Sequence, residues 1–167
     1  MAAIFNSKVI FDFSKNRETG NWLVVNDEMM GGLSKSTFVP GENGTAVFSG
    51  TVSLENNGGF SSVRYNSGTI DVEGYSILEL HLKGDGKKYQ VRIRENSNDY
   101  YAYIYTFQTT GDWQTLQIPL AEMYPSFRGR TLDLPDFSGK TITELSFLIG
   151  NKKAESFRLE LQKAELK

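Results

Sequence analysis

The side chains in this sequence that could do chemistry fall into two groups, and the first is a set of carboxylates. Asp27 and Glu28 follow an apolar stretch, and Asp12 lies upstream. Two carboxyl groups about 5–10 Å apart across a sugar bond are what glycoside hydrolysis requires. Acids in a polar bend are also ordinary turn caps, and this is the simpler interpretation of these three. A two-carboxylate hydrolase is therefore kept only as an alternative function.

The second group consists of arginines and tyrosines in stretches that read as strands. Side chains alternate between the two faces of a strand, so every second residue shares a face. Planar guanidinium groups and flat rings are what a polar ring ligand requires. We predict that these rows line one concave face, with binding residues Arg64, Gln90, Arg92, Arg94, Tyr101, Tyr103 and Tyr105. The alternative, in which the tyrosines form the core row and the arginines are merely solvated, stays open.

Composition excludes several kinds of site. The chain has 167 residues, no cysteine, one histidine and a net charge of −2. Without cysteine there are no disulfides, thiolate nucleophiles or cysteine-based zinc sites. A single histidine leaves little basis for a histidine metal site or a Ser-His-Asp triad, so no metal and no cofactor are predicted. The charge balance lacks the basic excess that nucleic acid binding requires.

Length and hydropathy indicate one domain, residues 1–167, large enough for a single sizeable core. No apolar run approaches the ~18 residues of a membrane span. The N-terminus lacks a basic segment followed by an apolar one, which a signal peptide would have. We therefore predict a cytoplasmic location and no membrane span. The oligomeric state is not predicted.

Period-two alternation runs through most of the chain, with roughly ten strand-like segments separated by turn signals. The clearest turns are Pro40–Gly44, Asn56–Gly59 and Gly84–Gly86, the last predicted to be a hairpin connection. No long helical periodicity occurs. This spacing predicts an all-β fold, and an antiparallel β-sandwich of jelly-roll type is the best match.

The segment from Trp22 to Ser34 stands out from this pattern. Four β-forming residues beginning at Trp22 run into a polar, acidic bend with a double glycine at positions 31 and 32. Glycine supplies backbone freedom that other residues lack, so we predict a tight bend with positive φ at both glycines. We also predict that Trp22 is largely buried.

This segment resembles the complex I intermediate-associated protein 30 family. The pattern is carried by Trp22, Asn26, Asp27, Met30, Gly31, Gly32 and Ser34. Further resemblances follow in order along nearly the whole chain: Phe48 with Gly50, Gly58-Gly59-Phe60 with Arg64, Gly84-Asp85-Gly86 before Tyr89, Trp113 with Ile118-Pro119-Leu120, and Phe157. Each motif alone is weak, whereas six in the same order are specific.

The resemblance implies a galactose-binding-like β-sandwich, akin to some carbohydrate-binding modules. Mitochondrial members act in the assembly of respiratory complex I as chaperone-like factors, without established catalysis. We therefore expect a non-catalytic binding or assembly-factor-like domain, with a protein partner or a saccharide-like small molecule on one sheet face. A carbohydrate-binding module is the first alternative, and the two-carboxylate hydrolase is the second.

Overall fold

The computed structural model describes residues 7–27 and 31–167, and Glu28 and Met30 lie outside these ranges. In the described residues the chain folds into strands with two short 3₁₀ turns and no α-helix, which confirms the all-β prediction. The strands are β1 (Lys8–Asp12), β2 (Trp22–Asn26), β3 (Lys35–Pro40), β4 (Ala46–Val52), β5 (Ser61–Tyr65), β6 (Ile70–Asp71), β7 (Ile77–Lys83), β8 (Lys88–Arg94), β9 (Ala102–Gln108), β10 (Trp113–Pro119), β11 (Tyr124–Phe127), β12 (Arg130–Thr131), β13 (Thr141–Ile142), β14 (Glu144–Ile149) and β15 (Glu155–Leu166).

Two large antiparallel sheets form a sandwich, as the sequence predicts. The six-stranded sheet has the order β10-β7-β15-β4-β3, with β1 also paired to β15. The seven-stranded sheet has the order β12-β11-β9-β8-β14-β5-β2, and β6 and β13 form a separate small pair. Neighbouring strands in each sheet are mostly distant in sequence, as expected of jelly-roll connections.

The core lies between the two sheets and follows from the period-two pattern. Leu78, Leu80 and Leu82 of β7 are fully buried on one side, and Val91 and Ile93 of β8 are buried on the other. In both strands the intervening residues are only partly buried. Alternating hydrophobic and polar side chains are typical of a sheet that packs one face against the core.

Trp22 lies at the edge of this core rather than deep inside it. The indole is partly buried and stacks between Phe38 and Tyr65, with ring centroids 4.5 and 4.7 Å away. Phe11 meets the same indole edge-on at 5.1 Å. Because Phe38 belongs to one sheet and Tyr65 to the other, Trp22 joins the two sheets at their open edge.

The segment Gly84–Gly86 corrects the hairpin prediction. It connects β7 to β8, but β7 pairs with β10 and β15, whereas β8 pairs with β9 and β14. The connection therefore crosses from one sheet to the other. Asp85 fixes this crossing by accepting hydrogen bonds from the Tyr89 hydroxyl (2.9 Å) and the Arg158 backbone N–H (2.8 Å). A short turn between two amphipathic strands does not indicate whether the strands pair within one sheet or belong to two facing sheets.

Candidate functional site

The two predicted binding rows lie on opposite faces of the seven-stranded sheet. In an antiparallel pair, residues directly opposite each other point to the same face. Tyr103 is opposite Ile93, which is in the core, whereas Arg92 is opposite Ile104. The prediction that arginines and tyrosines share a face is therefore wrong. Strand β9 is buried on both faces over Ala102–Ile104, so only Thr106 and Gln108 mark its outer face.

The tyrosine row forms part of the core. Tyr103 is buried, and Tyr101 and Tyr105 are partly buried against the same cluster. Tyr103 packs edge-on against Phe137 and Tyr101, at centroid distances of 5.1 and 5.6 Å. Burial and a hydrogen bond with Tyr101 raise the pKa of the Tyr103 hydroxyl. These rings therefore contribute to the hydrophobic core.

The arginines do come together on the outer face, in a row that crosses six strands. The register aligns one residue from each of β2, β5, β14, β8, β9 and β11. In order along the row these are Leu23, Arg64, Ser146, Arg92, Ile104 and Tyr124. The small Ser146 side chain separates the two arginines. Arg94 and Gln90 flank Arg92 on the same face of β8.

Four residues of this row form the floor of a cavity of about 540 Å³, which we call the arginine cavity: Arg64, Arg92, Ile104 and Tyr124. Its size falls within the usual range of small-molecule sites. It is lined by Arg64, Gln90, Arg92, Arg94, Arg128, Ser62, Val25, Gly59, Phe60, Tyr100, Ala102, Ile104, Tyr124, Ser126, Phe127, Gly129, Thr131, Leu148 and Gly150. The structure thus brings together four of the seven predicted binding residues, and their binding role stays a proposal.

The guanidinium groups at the floor are only partly neutralised. Glu144 lies opposite Arg94 and contacts Arg64 at 3.1 Å and Arg94 at 3.6 Å, each between Nε and a carboxylate oxygen. Arg92 forms no ion pair with any described residue. The Nε atoms of all three arginines are shielded from solvent. Those of Arg64 and Arg94 face the Glu144 carboxylate outside hydrogen-bond geometry, whereas that of Arg92 has no acceptor among the described residues. Burial lowers the pKa of Arg92, and the charges of Arg94 and Arg64 lower it further.

An aromatic rim borders the cavity on the β11–β12 side, and sequence reasoning did not identify it. Tyr100 is 58% exposed and packs edge-on against Phe127 at 5.2 Å. The Arg128 guanidinium lies 5.1 Å from the Phe127 ring centroid. Pro125 obscures strand β11 in the sequence, because proline is uncommon within a strand. The aromatic residues on either side of that proline were the available signal.

Asp27 has a structural role, which weakens the hydrolase alternative. Its carboxylate is fully buried and accepts hydrogen bonds from Ser34 N (3.0 Å), Ser34 Oγ (2.6 Å), Gly59 N (2.7 Å) and Phe60 N (3.4 Å). Burial raises the pKa of this carboxyl, but the hydrogen bonds from Ser34, Gly59 and Phe60 outweigh it and lower the pKa overall. A carboxylate whose oxygens are occupied in this way is poorly placed to attack a substrate.

The double glycine is explained by the same carboxylate. Gly31 has φ +85°, as predicted, but Gly32 does not adopt a positive φ. A Cβ at Gly32 would lie 2.3 Å from the Asp27 Cγ, so this position requires glycine for lack of space. The neighbouring Asn26 Oδ1 accepts hydrogen bonds from Ser61 Oγ (2.5 Å) and Ser36 Oγ (3.0 Å). Within the described residues, this motif therefore stabilises the local packing of the fold.

A second cavity, of about 620 Å³, lies between the edge strands β2 and β3. It is lined by Val24, Asn26, Lys35, Ser36, Thr37, Ser49, Gly50 and Thr51. Its one charged lining residue, Lys35, is exposed, and Asn26 and Ser36 already bond each other. We therefore regard the arginine cavity as the candidate site. No cluster of three or more metal-ligating side chains occurs in the described residues.

Comparison with known proteins assigns the chain to a family. A model of the complex I intermediate-associated protein 30 family matches residues 11–161. The chain belongs to this family. The mouse mitochondrial complex I intermediate-associated protein 30 is 25% identical over 179 aligned residues, which cover 93% of this chain. The chain spans 54% of the length of that mouse relative. The assignment confirms the resemblance seen in the Trp22–Ser34 motif.

Solved structures similar to this family member are carbohydrate-binding modules. A family 11 module from Clostridium thermocellum, in complex with a β-1,3-1,4-mixed-linked tetrasaccharide, has a TM-score of 0.69 and 19% identity. The match covers 98% of this chain and 96% of that module. A family 29 module aligns with a TM-score of 0.55 and 13% identity, over 98% and 92% of the two chains. These similarities confirm the β-sandwich fold. The part of the chain that the structure describes contains no helix long and apolar enough to cross a membrane.

Proposed function

We propose that this domain is a non-catalytic binding module whose ligand surface is the arginine cavity. The observation that carries the proposal is the buried Nε donor of Arg92, which has neither an ion pair nor a hydrogen-bond acceptor among the described residues. Its neighbours Arg64 and Arg94 share the single carboxylate of Glu144. Buried donors are nearly always satisfied in native proteins, so each unpaired one calls for an explanation. A polar ligand in the cavity would supply the acceptor.

The surroundings of this donor fit recognition of a polar ring. Arginine forms two parallel hydrogen bonds with planar acceptors and stacks on aromatic rings. Tyr124 and Phe127 are rigid side chains, so they offer contact area with little rotamer freedom to lose. Asp27 is occupied within the fold, and the residues that line the cavity include no pair of carboxylates. Binding without catalysis is the function that this arrangement supports best.

Two kinds of ligand are proposed for the cavity. The name of the mouse relative favours a protein partner, as in an assembly factor. The tetrasaccharide bound to the family 11 module favours the second candidate, a carbohydrate-binding module. A cytoplasmic location is part of the proposal and is testable by cell fractionation.

A direct test compares two doubly substituted chains. Arg64→Ala with Arg92→Ala removes two cavity donors, and Arg158→Ala with Lys153→Ala removes two exposed cations elsewhere. Wild type and both variants are applied to an oligosaccharide array and used as bait in crosslinking pull-downs from the native host. We expect a ligand or partner that is retained by the control and lost by the cavity variant. Equal retention by all three proteins would contradict the proposal.

A further inference from the structure

The arginine cavity has a charge imbalance that its own carboxylate does not correct. Four arginines line it, whereas its lining residues include no aspartate or glutamate. Glu144 lies just beside it and contacts two of the four, Arg64 and Arg94. The chain as a whole carries a net charge of −2, so this excess of positive charge is local.

Like charges on the same face of a sheet repel unless a counter-charge lies between them. Arg64 and Arg92 both lie opposite Ser146, on the two sides of β14. Adjacent strands are about 4.8 Å apart, so the two arginine backbones are separated by about 10 Å. Ser146 is the only residue of the row between them, and its side chain is short. Of the two, Arg64 contacts Glu144, whereas Arg92 has no ion pair among the described residues.

Among the partly buried arginines at the cavity floor, Arg92 has the least compensation of its positive charge. It has neither an ion pair nor an acceptor for its Nε within the described residues, although it is half-buried at the cavity floor. A guanidinium in such surroundings forms strong, often bidentate, hydrogen bonds with carboxylate or phosphate oxygens. A neutral hydroxyl would satisfy the donor but would leave the charge uncompensated.

We propose that the arginine cavity binds an oxyanion, a carboxylate or phosphate carried on a polar ring, which Arg92 holds at the cavity floor. The inference rests on the binding role proposed above and specifies the charge of the ligand. The ring packs toward Ile104 and Tyr124, which follow Arg92 along the row and line the same cavity.

The test uses nuclear magnetic resonance titrations that follow the arginine Nε–H signals directly. The probes are glucuronate, glucose 6-phosphate and, as the neutral match, glucose, with inorganic phosphate as a probe without a ring. We expect both acidic sugars to shift the Arg92 Nε–H signal and glucose to leave it unchanged. The tighter of the two acids identifies the oxyanion, and both should weaken as salt is added because charge attraction is screened.

Three variants control for folding and for general charge. Arg92→Gln should weaken the acidic sugars about tenfold or more, the loss expected when a charge-assisted hydrogen bond is removed. Arg92→Lys retains the charge without the planar fork and should recover part of the affinity. Arg158→Gln changes an exposed arginine paired with Glu160 on the other sheet and should bind like wild type. Unchanged backbone amide spectra would show that each variant is folded.

Several outcomes would overturn the inference. One is binding of glucose as tight as that of the acids, and another is unchanged acid binding in Arg92→Gln. No Nε–H shift with either acid at about 20 mM would do the same. A hexaglutamate peptide that binds while both acidic sugars fail would overturn the ring ligand. If a neutral tetrasaccharide binds and is lost in Arg92→Gln, the anion assignment fails but the proposed binding function stands.

Discussion

The Gly59 backbone N–H donates a 2.7 Å hydrogen bond to the Asp27 carboxylate. This contact joins the end of β2 to the segment that leads into β5, 32 residues later in the chain. The same carboxylate accepts hydrogen bonds from both the amide and the hydroxyl of Ser34. One buried acid therefore fixes three chain segments at the open edge of the sandwich.

Asp27→Asn should destabilise the fold by about 3 kcal/mol, because one acceptor oxygen becomes an amide donor that faces other donors. The folded-state pKa of Asp27 lies below its ordinary value of 3.8. The carboxylate therefore contributes its full stability above that value and loses it as the pH falls through the lower folded pKa. Urea unfolding should show a large difference in the free energy of unfolding between wild type and Asp27→Asn at about pH 7. The difference should be smaller at about pH 3.

A difference that stays constant between the two pH values would contradict the assignment of this stability to the charged carboxylate. Asp112→Asn is a suitable control, since Asp112 lies on an exposed turn. We expect it to change stability by less than about 0.5 kcal/mol at either pH.

Gly32→Ala should destabilise the protein by about 1–3 kcal/mol, the usual cost of forcing a methyl group into a packed site. The added Cβ would meet the Asp27 side chain at 2.3 Å. Gly20→Ala is the matched control, because its Cβ would meet only Glu18 Oε1 at 3.5 Å and its φ is not positive. Melting temperatures that fall equally in the two variants would argue against the steric explanation.

Trp22→Ala should cost about 3 kcal/mol, toward the lower end of the range for large aromatic deletions, because the indole is only partly buried. The same substitution at Trp113 provides the comparison. Trp113 is 41% exposed and stacks on His81 at 5.1 Å, so its loss should cost less than about 1 kcal/mol. Urea denaturation of both variants measures the difference, which would vanish if Trp22 did not join the sheets.

Alkaline pH should destabilise the fold through Tyr89. Burial raises the pKa of the Tyr89 hydroxyl, and the neighbouring Asp85 carboxylate raises it further, from an ordinary value of 10.0. The folded protein keeps this proton after the unfolded chain has lost it, so stability falls as pH rises above about 10. In Tyr89→Phe this part of the pH dependence should be absent.

The measurement is urea unfolding at about pH 8 and about pH 11. At the lower pH, Tyr89→Phe should lose about 1 kcal/mol with the Asp85 hydrogen bond. Tyr100→Phe serves as the control, since Tyr100 is largely exposed. The interpretation fails if Tyr89→Phe and wild type lose the same stability between the two pH values.

Period-two alternation was sufficient to predict the sandwich and to place Gln90, Arg92 and Arg94 on one face. These three residues belong to β8, whose other face is strictly apolar, so only one orientation of the strand toward the core is possible. Strand β9 gave a weaker signal. Ala102 and Ile104 are as apolar as the tyrosine row and are buried, so only Thr106 and Gln108 at the end of the strand mark its outer face.

The pairing of the strands was harder to predict from the sequence than the faces on which their side chains lie. The sequence around Gly84–Gly86 predicts a tight turn, and the structure has one, but the turn crosses between the sheets instead of closing a hairpin. Local residue types determine the turn, whereas pairing depends on contacts with distant strands such as β15. The Asp27 contacts were hidden for the same reason, since Gly59 lies far from Asp27 in sequence.

Strand β15 pairs with β1, β4 and β7, which makes it the centre of the six-stranded sheet. During synthesis, residues 155–166 leave the ribosome after all three of those partners. Until then the apolar faces of β4 and β7 lack their shared neighbour, and their edges are open to pairing with other chains. The six-stranded sheet can therefore close only after β15 has been made, whatever the order in which its other strands pair.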